Sequence, residues 1–503
     1  MPESFPAMRV TLMSRRVEFG RVDHRRRGMR VSCAAALLIG LLGCATGRAA
    51  HLAQGFRIGE VRQHSAIVWT RITRTAKRNQ NGIREPKKRA PRQNRFVPPT
   101  INVNDRQGMV PGMVGQVRVL YHAADGQSEH QRTPWATVGR DGDFIHQFRL
   151  HGLKPATLYE LTVEARDTAD APVSARHRGS LTTPAEKNRW QDVSFGVVTG
   201  QSYWDLDHPD GFEIYPAMRK RHLSFLVPTG DTVYLDSESP RARTVELARY
   251  HWTRMYSLPR LVEFHRHVPG YWEKDDHDCW CDDCWPTKSA RWMNPLTFAQ
   301  GAAVFREQVP IGARTFRTIR WGRGLQIWLV EGRDFRSSNR APDGPQKTIW
   351  GTKQRDWLLR SIRASDADFR VLISPTPIVG PDRSSKADNH SNRAFAYEGN
   401  LFRNWTKRNH LKNFYVCCGD RHWQYMSIDP RTGLREFSCG PASDRHAGGS
   451  PPRDRAVQPF HRVRGGFLTV SVTKANGLPT IAFRHHTVRG DVVHTYRAVA
   501  SRH

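Results

Sequence analysis

The spacing of apolar and polar residues changes near residue 190 and divides the chain into two parts. Before that point, Ser65–Thr70 alternates apolar and polar residues at a period of two, and Gln116–Tyr121 and Asp143–Phe148 continue the strand pattern. Such alternation is typical of half-buried strands. From Val193 onwards, apolar strand-like runs alternate with amphipathic helical stretches. The first pattern predicts a β-sandwich, and the second predicts a layered α/β domain.

A turn sequence in the first part makes this prediction more specific. The segment 153–159 reads Leu-Lys-Pro-Ala-Thr-Leu-Tyr and leads into an alternating strand that ends at Val163. This turn resembles those of fibronectin type III-like sandwiches. We therefore expect a fibronectin type III-like N-terminal β-sandwich domain at residues 55–182, closed by a linker at 182–184.

A basic segment interrupts the sandwich. Residues 71–95 contain ten basic residues and one acidic residue, with Asn, Gln and Pro and almost nothing apolar. This composition predicts a disordered insertion, which we place at residues 71–115. The insertion is either a solvated loop or an arm that binds polyanions.

The second part is expected to form an α/β domain at residues 190–500. Its strand-like runs are Val193–Val198, Leu223–Pro228, Leu325–Val330, Phe369–Ile373 and Asn413–Cys418, and its helical runs include Arg243–Tyr256 and Lys353–Arg363. The tail from Gly465 to Ala498 reads as three antiparallel strands with a turn at Asn476-Gly477. We expect the tail to join the second sheet of this domain.

Residues able to bind cations follow several of these runs. Gly230-Asp231 follows the second run, the segment 275–278 reads Asp-Asp-His-Asp, and Gly419-Asp420-Arg421-His422 follows the last run. Asp420 and His422 are two residues apart in an extended segment and therefore point the same way. Carboxylates clustered around one His repel each other unless cations neutralise them. Each element alone has a plain explanation as a turn or an exposed acidic loop, but the three in this order predict a metal site.

This series resembles the alkaline phosphatase D-like family of the calcineurin-like metallophosphoesterase superfamily. The matching features are Tyr234 three residues after Asp231, the Asp-Asp-His-Asp segment 275–278, and the Gly-Asp-x-His segment 419–422. The segments 331–336 and 351–358 resemble two further motifs of that family, and the resemblance runs from about Gly55 to Arg497. It implies a metallophosphoesterase β-sandwich flanked by helices, preceded by the N-terminal sandwich.

The resemblance also implies an activity and a set of residues. The activity is hydrolysis of phosphate mono- or diesters by attack of a metal-activated hydroxide on phosphorus. His277 would be the general acid or a transition-state donor, and Arg333, Arg336 or Arg421 would bind the phosphoryl oxygens. Two or more metal ions are expected: iron with the phenolate, calcium with the carboxylates, and zinc or manganese as alternatives. The implied metal ligands are Asp231, Tyr234, Asp276, Asp420 and His422.

Some positions depart from the family pattern. Gly200 stands where the family has a Cys ligand, and Asp205 or Asp207 could reach the metal instead. Glu331 replaces an Asp, and Lys274 replaces an apolar residue. The missing ligand leaves a second hypothesis open, in which a catalytically degenerate family member binds polyanions or a cell-surface polymer without turnover. A cluster formed by Cys279, Cys281 and Cys284 is expected to form a structural disulfide or to bind a separate metal.

Charge and the N-terminus bear on partners and location. The net charge of +31 favours a phosphate-ester substrate and an anionic polymer or lipid surface, contacted through the basic insertion. We expect no specific nucleic acid partner and a monomer. Basic residues at 25–30 followed by the apolar run Val31–Gly43 predict an export segment at residues 1–50. The protein would be periplasmic, at the cell surface or secreted, either lipid-anchored at Cys44 or cleaved near residues 47–50.

Overall fold

The structure is a computed structural model that describes residues 49–87, 92 and 94–501. The predicted export segment, with Cys44, therefore lies outside the described residues except for its last two positions. The described residues belong to one compact unit. Among them, no helix has both the length and the apolar character needed to cross a membrane. The predicted boundary between residues 182 and 190 stays a prediction.

Two antiparallel sheets form the N-terminal part. The strands are β1 (Phe56–Arg62), β2 (Ser65–Arg71), β3 (Gly115–Ala123), β4 (Gln131–Arg132), β5 (Ala136–Val138), β6 (Ile145–His151), β7 (Leu158–Arg166) and β8 (Ala175–Thr182). One sheet has the order β1-β2-β6, and the other has the order β4-β3-β7-β8 with β5 also paired to β3. Both sheets contribute to one core that includes Ile58, Val68, Val119 and Leu161. The fibronectin type III-like topology stays a prediction.

The described part of the basic insertion contacts the second part of the chain. Lys87 Nζ lies 2.6 Å from Asp205 Oδ1, and Arg92 lies over the ring of Trp292 at 4.8 Å from the centroid. Further on, the backbone oxygen of Arg95 accepts a hydrogen bond from Arg243. These contacts pair charges of the insertion with partners from the second part of the chain. The predicted disorder of the insertion stays a prediction.

The second part of the chain forms two mixed sheets. Its strands are β9 (Val193–Val198), β10 (Phe225–Pro228), β11 (Arg317–Trp321), β12 (Leu325–Leu329), β13 (Phe369–Ser374), β14 (Phe414–Cys418), β15 (Gln424–Ile428), β16 (Arg435–Cys439), β17 (Phe460–Arg462), β18 (Phe467–Ala475), β19 (Leu478–His486) and β20 (Val492–Val499). Their orders are β10-β9-β18-β19-β20 and β11-β12-β13-β14-β16-β15-β17. The tail forms three antiparallel strands as predicted, with the turn at Asn476-Gly477 between β18 and β19, and these strands lie in the same sheet as β9 and β10.

Helices cover both outer faces. They are α1 (Ile214–Arg219), α2 (Val245–Tyr256), α3 (Pro259–His265), α4 (Asp276–Cys279), α5 (Phe298–Gln308), α6 (Gly351–Arg363) and α7 (Ala396–Arg408). The Thr244 side chain caps α2 by accepting from Leu247 N, and Thr297 with Gln300 forms a capping box on α5, so polar side chains satisfy these helix starts.

Three hydrophobic clusters hold these layers together. The cluster between the two sheets includes Val197, Phe225, Ile327 and Phe437. A second cluster joins the first sheet to α1, α2, α3 and α5, and a third joins the other sheet to α6 and α7. The result is a helix–sheet–sheet–helix arrangement, as the alternation of strands and helices predicted.

Strand direction decides where the site can form. β10 runs parallel to β9, and β12, β13, β14 and β16 run parallel to one another. Loops that follow parallel strands collect at one edge of a sheet, where α/β proteins place their ligands. The segments carrying Asp231, Glu331, Lys386 and Asp420 follow β10, β12, β13 and β14.

Candidate metal centre

Asp231 lies at a tight turn after β10. Its backbone φ is 54° and that of Gly230 is 94°. A Cβ atom at Gly230 would lie 2.5 Å from the backbone nitrogen of Asp275, so only glycine lets these two segments meet. Asp231 is 1% exposed. The turn therefore presents a buried carboxylate beside the segment 275–278.

Asp278 ties these two segments together. Its carboxylate accepts hydrogen bonds from the backbone nitrogens of Asp231, Thr232 and Val233 at 2.5, 2.8 and 3.2 Å. It also accepts from the Thr232 hydroxyl at 2.8 Å and from Asp275 N at 2.9 Å. The Asp278 carboxylate therefore stabilises the backbone of these two segments, whereas the carboxylates of Asp231, Asp275 and Asp276 remain able to bind cations.

Asp231 belongs to two groups of converging donor atoms. One ligand atom each from Asp231, Asp275 and Asp420 lie within 4.8 Å of one another, and the same holds for Asp231, Asp276 and His277. Oδ1 of Asp231 and Oδ2 of Asp275 are buried without a hydrogen-bond partner. Burial raises the pKa of Asp231 well above its usual value, with His277 opposing and Asp276 adding to the rise. Unpartnered buried carboxylate oxygens in an oxygen-rich set fit hard cations.

Tyr234 joins this cluster to two histidines. Its hydroxyl lies 2.8 Å from His446 Nε2 and 3.4 Å from His422 Nε2, and the two imidazole centroids are 4.1 Å apart. Burial, with Asp231 nearby, raises the pKa of Tyr234 well above its usual value. Burial and the neighbouring His446 lower the pKa of His422 well below the usual value, so its ring is neutral and can act as a metal ligand.

His277 is held in the protonated state, in contrast to the neutral His422. Its Nδ1 lies 2.6 Å from Asp236 Oδ1, which leaves Nε2 as the free end of the ring. Burial acts to lower the pKa of His277, but Asp236, Asp276 and Asp231 outweigh it and raise the pKa well above its usual value. A protonated His277 can donate from Nε2 into the site, and its role as a general acid stays a prediction.

Two of the three arginines proposed as phosphate ligands are already engaged with carboxylates. Arg333 Nε lies 2.5 Å from Asp275 Oδ1. Arg421 lies 2.9 Å from Asp382 and 3.1 Å from Asp388, and both arginines are fully buried. Their contact with a phosphoryl oxygen stays a prediction, while the geometry shows them neutralising carboxylates.

The loop after β13 contributes two basic residues that the sequence analysis missed. Lys386 Nζ lies 3.0 Å from Asp283 Oδ1 and 3.5 Å from Asp388 Oδ2, with 21% of its side chain exposed. Arg383 lies over the Trp423 ring at 5.8 Å. The signal that could have found them is their place in a loop that follows a parallel strand.

Asp205 was expected to reach the metal, but it is not part of the groups of converging donor atoms in the described residues. Its Oδ2 lies 2.8 Å from His446 Nδ1, and its Oδ1 is paired with Lys87. The side chains of His446 and Lys87 lower the pKa of Asp205 to about 2 despite burial. Asp207 instead accepts a hydrogen bond from Glu213 N. Sequence reasoning missed His446, which lies in a 3-10 turn, Asp444–His446, after β16.

The predicted disulfide is not formed in the described residues. All six cysteines there are buried and free. The Sγ atoms of Cys279 and Cys284 are 3.6 Å apart, and Cys279 donates to the backbone oxygen of Asp275. The metal-donor groups found in this part of the chain contain no cysteine.

The two helix-flanked sheets, with carboxylates and imidazoles gathered where strands end, define a metallophosphoesterase-like protein. The family described as PhoD-like phosphatase matches residues 195–490. Since the match spans more than half of the 503 residues, the chain belongs to the PhoD-like phosphatase family. This membership and the donor groups support a metal-dependent phosphoesterase.

Solved structures agree on the fold. The structure of PhoD aligns with a TM-score of 0.70 at 15% identity, covering 89% of this chain and 90% of that chain. Purple acid phosphatase PPD1 from yellow lupin (Lupinus luteus) seeds aligns with a TM-score of 0.61 at 10% identity, covering 88% and 73%. At these identities the likeness establishes the fold. A comparison with curated proteins finds no match.

Proposed function

We propose that the protein is an exported phosphoesterase that hydrolyses phosphate mono- or diesters with the help of at least two bound cations. The observation that carries the proposal is the Asp231 carboxylate, which is buried, has an unpartnered Oδ1 and belongs to both donor groups. One carboxylate shared by two groups of donors is suited to bridging two cations. The N-terminal charge and hydropathy pattern supports export.

The donors fit hard metal ions. Asp231, Asp275, Asp276 and Asp420 supply carboxylate oxygens, which favour calcium or manganese. Tyr234 and His422 supply a phenol oxygen and a neutral imidazole, which favour iron or zinc. When bound, such ions supply Lewis acidity toward the phosphoryl oxygens and a nucleophile at neutral pH.

The chain's own groups then handle the leaving oxygen and the phosphoryl charge. Protonated His277, held at Nδ1 by Asp236, donates the Nε2 proton to the departing oxygen. Lys386 and Arg383 lie near the carboxylates on a partly exposed loop and can contact the non-bridging oxygens. Arg333 and Arg421 keep the buried carboxylates charged and in place.

The basic insertion supports an anionic substrate. A cavity of about 380 Å³ is lined by Arg84 and Glu85 of the insertion together with Trp204 and Arg445. Arg445 is the neighbour of His446, and Trp204 is the neighbour of Asp205. We propose that this surface contributes to binding of an anionic polymer or lipid headgroup attached to the scissile phosphate.

The test compares p-nitrophenyl phosphate with bis-p-nitrophenyl phosphate, using metal-loaded wild type, Asp231→Ala and the control Asp170→Ala, which changes an exposed Asp outside the site. We expect wild type and Asp170→Ala to hydrolyse at least one ester and Asp231→Ala to lose activity. A metal-loaded wild type inactive on both esters would instead favour polyanion binding without turnover.

A further inference from the structure

Gly200 leaves a space beside the metal centre that a histidine from elsewhere fills. Gly200 has a φ of +59°, and a Cβ atom there would lie 3.3 Å from His446 Cδ2 and 3.1 Å from Pro441 Cβ. A side chain at position 200 and the His446 ring would therefore compete for the same space. We propose that His446 is a metal ligand in this protein and supplies the donor that Gly200 cannot, an inference that rests on the proposed metal-dependent function.

Two imidazole nitrogens converge on the Tyr234 hydroxyl. His446 Nε2 lies 2.8 Å from the Tyr234 hydroxyl, which lies 3.4 Å from His422 Nε2. Two ligands at about 2.1 Å from a tetrahedral ion are themselves roughly 3.4 Å apart, which matches the distance from Tyr234 to His422. Without an ion, the Tyr234 hydroxyl can donate to His446 Nε2 and accept from His422 Nε2, so a bound ion would replace this hydrogen-bonded chain with three donors facing one point.

Asp205 sets the orientation of the ring. Its Oδ2 lies 2.8 Å from His446 Nδ1, so it accepts the Nδ1 proton and leaves the Nε2 lone pair free. Lys87 holds the other oxygen of Asp205 at 2.6 Å. A carboxylate behind a ligating histidine fixes the tautomer and raises the basicity of the ligand.

The segment that carries His446 is itself fixed. The Ser443 hydroxyl accepts from Arg445 N at 3.1 Å, and the backbone nitrogen of Gly448 donates to the backbone oxygen of His422 at 3.1 Å. The turn after β16 is thus tied to the loop after β14, and His446 is placed beside His422 by the backbone. The resulting donor set is two imidazoles and a phenol oxygen, without a thiolate.

The test counts bound ions. Metal-stripped wild type, His446→Phe, Asp205→Asn and the control His151→Phe, which changes an exposed His, are titrated with zinc, manganese and iron. Bound metal is measured by elemental analysis and by calorimetry, and thermal unfolding of the stripped proteins checks folding. Phe keeps a ring in the space and removes both nitrogens, so it separates packing from ligation.

We expect His446→Phe to bind about one ion fewer per chain, or to bind at least 10-fold more weakly, and Asp205→Asn to weaken binding by about 10–100-fold. His151→Phe should match wild type. Unchanged ion count and affinity in His446→Phe would overturn the proposal, and so would unchanged affinity in Asp205→Asn. A wild type that binds its ions but hydrolyses no ester would instead refute the proposed function and leave this result standing.

Discussion

Lys274 Nζ lies 2.5 Å from Glu331 Oε2, and neither side chain is more than 2% exposed. The same ammonium lies 2.8 Å from Asp334 Oδ1. Both Lys274 and Glu331 depart from the pattern of the family, and the structure shows that the two departures pair with each other. The burial of one charge is compensated by the other, next to the segment that carries Asp275 and Asp276.

We predict that Lys274→Met alone lowers the free energy of unfolding by about 3–5 kcal/mol, because it leaves Glu331 buried without its cation. Lys274→Met combined with Glu331→Gln should recover part of that loss. Urea unfolding of both single variants and the double variant gives the coupling energy. Strictly additive effects would show that the pair is not coupled.

A second prediction concerns Asp278, which accepts hydrogen bonds from four backbone nitrogens and one hydroxyl. Asp278→Asn replaces one acceptor oxygen with an NH₂ group, which then faces backbone donors instead of accepting from them. We expect a loss of at least ~2 kcal/mol in the free energy of unfolding and weaker metal binding, since the turn at Asp231 loses its anchor. Asp170→Asn, at an exposed position, serves as the control. Equal unfolding midpoints for the two variants would contradict this role.

A third prediction concerns acid stability. His265 packs among Tyr215, Tyr256 and Trp272, and neither ring nitrogen has a hydrogen-bond partner. Burial, with Arg57 nearby, lowers the pKa of His265 to about 3, against about 6.5 in an unfolded chain. Between these values the unfolded state binds the proton, so stability is complete above pH 6.5 and falls as the pH drops towards 3.

His265→Phe removes this penalty while keeping a ring of similar size. We expect the variant to be more stable than wild type by up to ~2 kcal/mol at pH 5, since each pH unit below 6.5 is worth about 1.4 kcal/mol. The gain should be smaller at pH 8. Urea unfolding at the two pH values measures it, with His151→Phe as the control. A difference between variant and wild type that does not change with pH would refute the argument.

A fourth prediction concerns Lys386, whose partly exposed ammonium lies beside Asp283 and Asp388. If it contacts a phosphoryl oxygen, Lys386→Ala should lower kcat/KM by roughly 10–100-fold, the range for losing a charge-assisted hydrogen bond. Lys220→Ala removes an exposed lysine elsewhere and should leave kcat/KM unchanged. Steady-state kinetics on the preferred ester decide between a substrate contact and a framework role, because a framework residue would change stability without this selective loss.

Local sequence patterns predicted the central strands well. β9 has the predicted bounds, and β10, β12, β13 and β14 differ from prediction by one or two residues at their ends. Asp231 and Asp420 follow β10 and β14, which belong to two different sheets, and Asp276 opens α4. Their local motifs could be recognised from the sequence, whereas their meeting depends on how the two sheets pack. Asp231 and Asp276 share one donor group, and Asp231 and Asp420 share another.

His446 could not be found in the same way. It lies 212 residues after Tyr234 along the chain, in a 3-10 turn that carries no Gly-Asp signature. Its place depends on β16 pairing in parallel with β14, and β16 was not among the predicted strands. Tertiary pairing, rather than local propensity, positions this residue.

The contacts of the basic insertion could not be predicted from its composition either. Its composition resembles that of a disordered segment, yet Lys87 and Arg92 contact Asp205 and Trp292 of the second part of the chain. Composition cannot anticipate partners that lie more than 100 residues away.

The most direct measurement follows ester hydrolysis while metal-stripped protein is titrated with metal, with the bound ions counted at every step. We expect no hydrolysis in the stripped protein and a rate that rises as ions bind and levels off once two ions are bound per chain. Hydrolysis that persists without metal, or a fully loaded protein that cleaves neither monoesters nor diesters, would contradict this expectation.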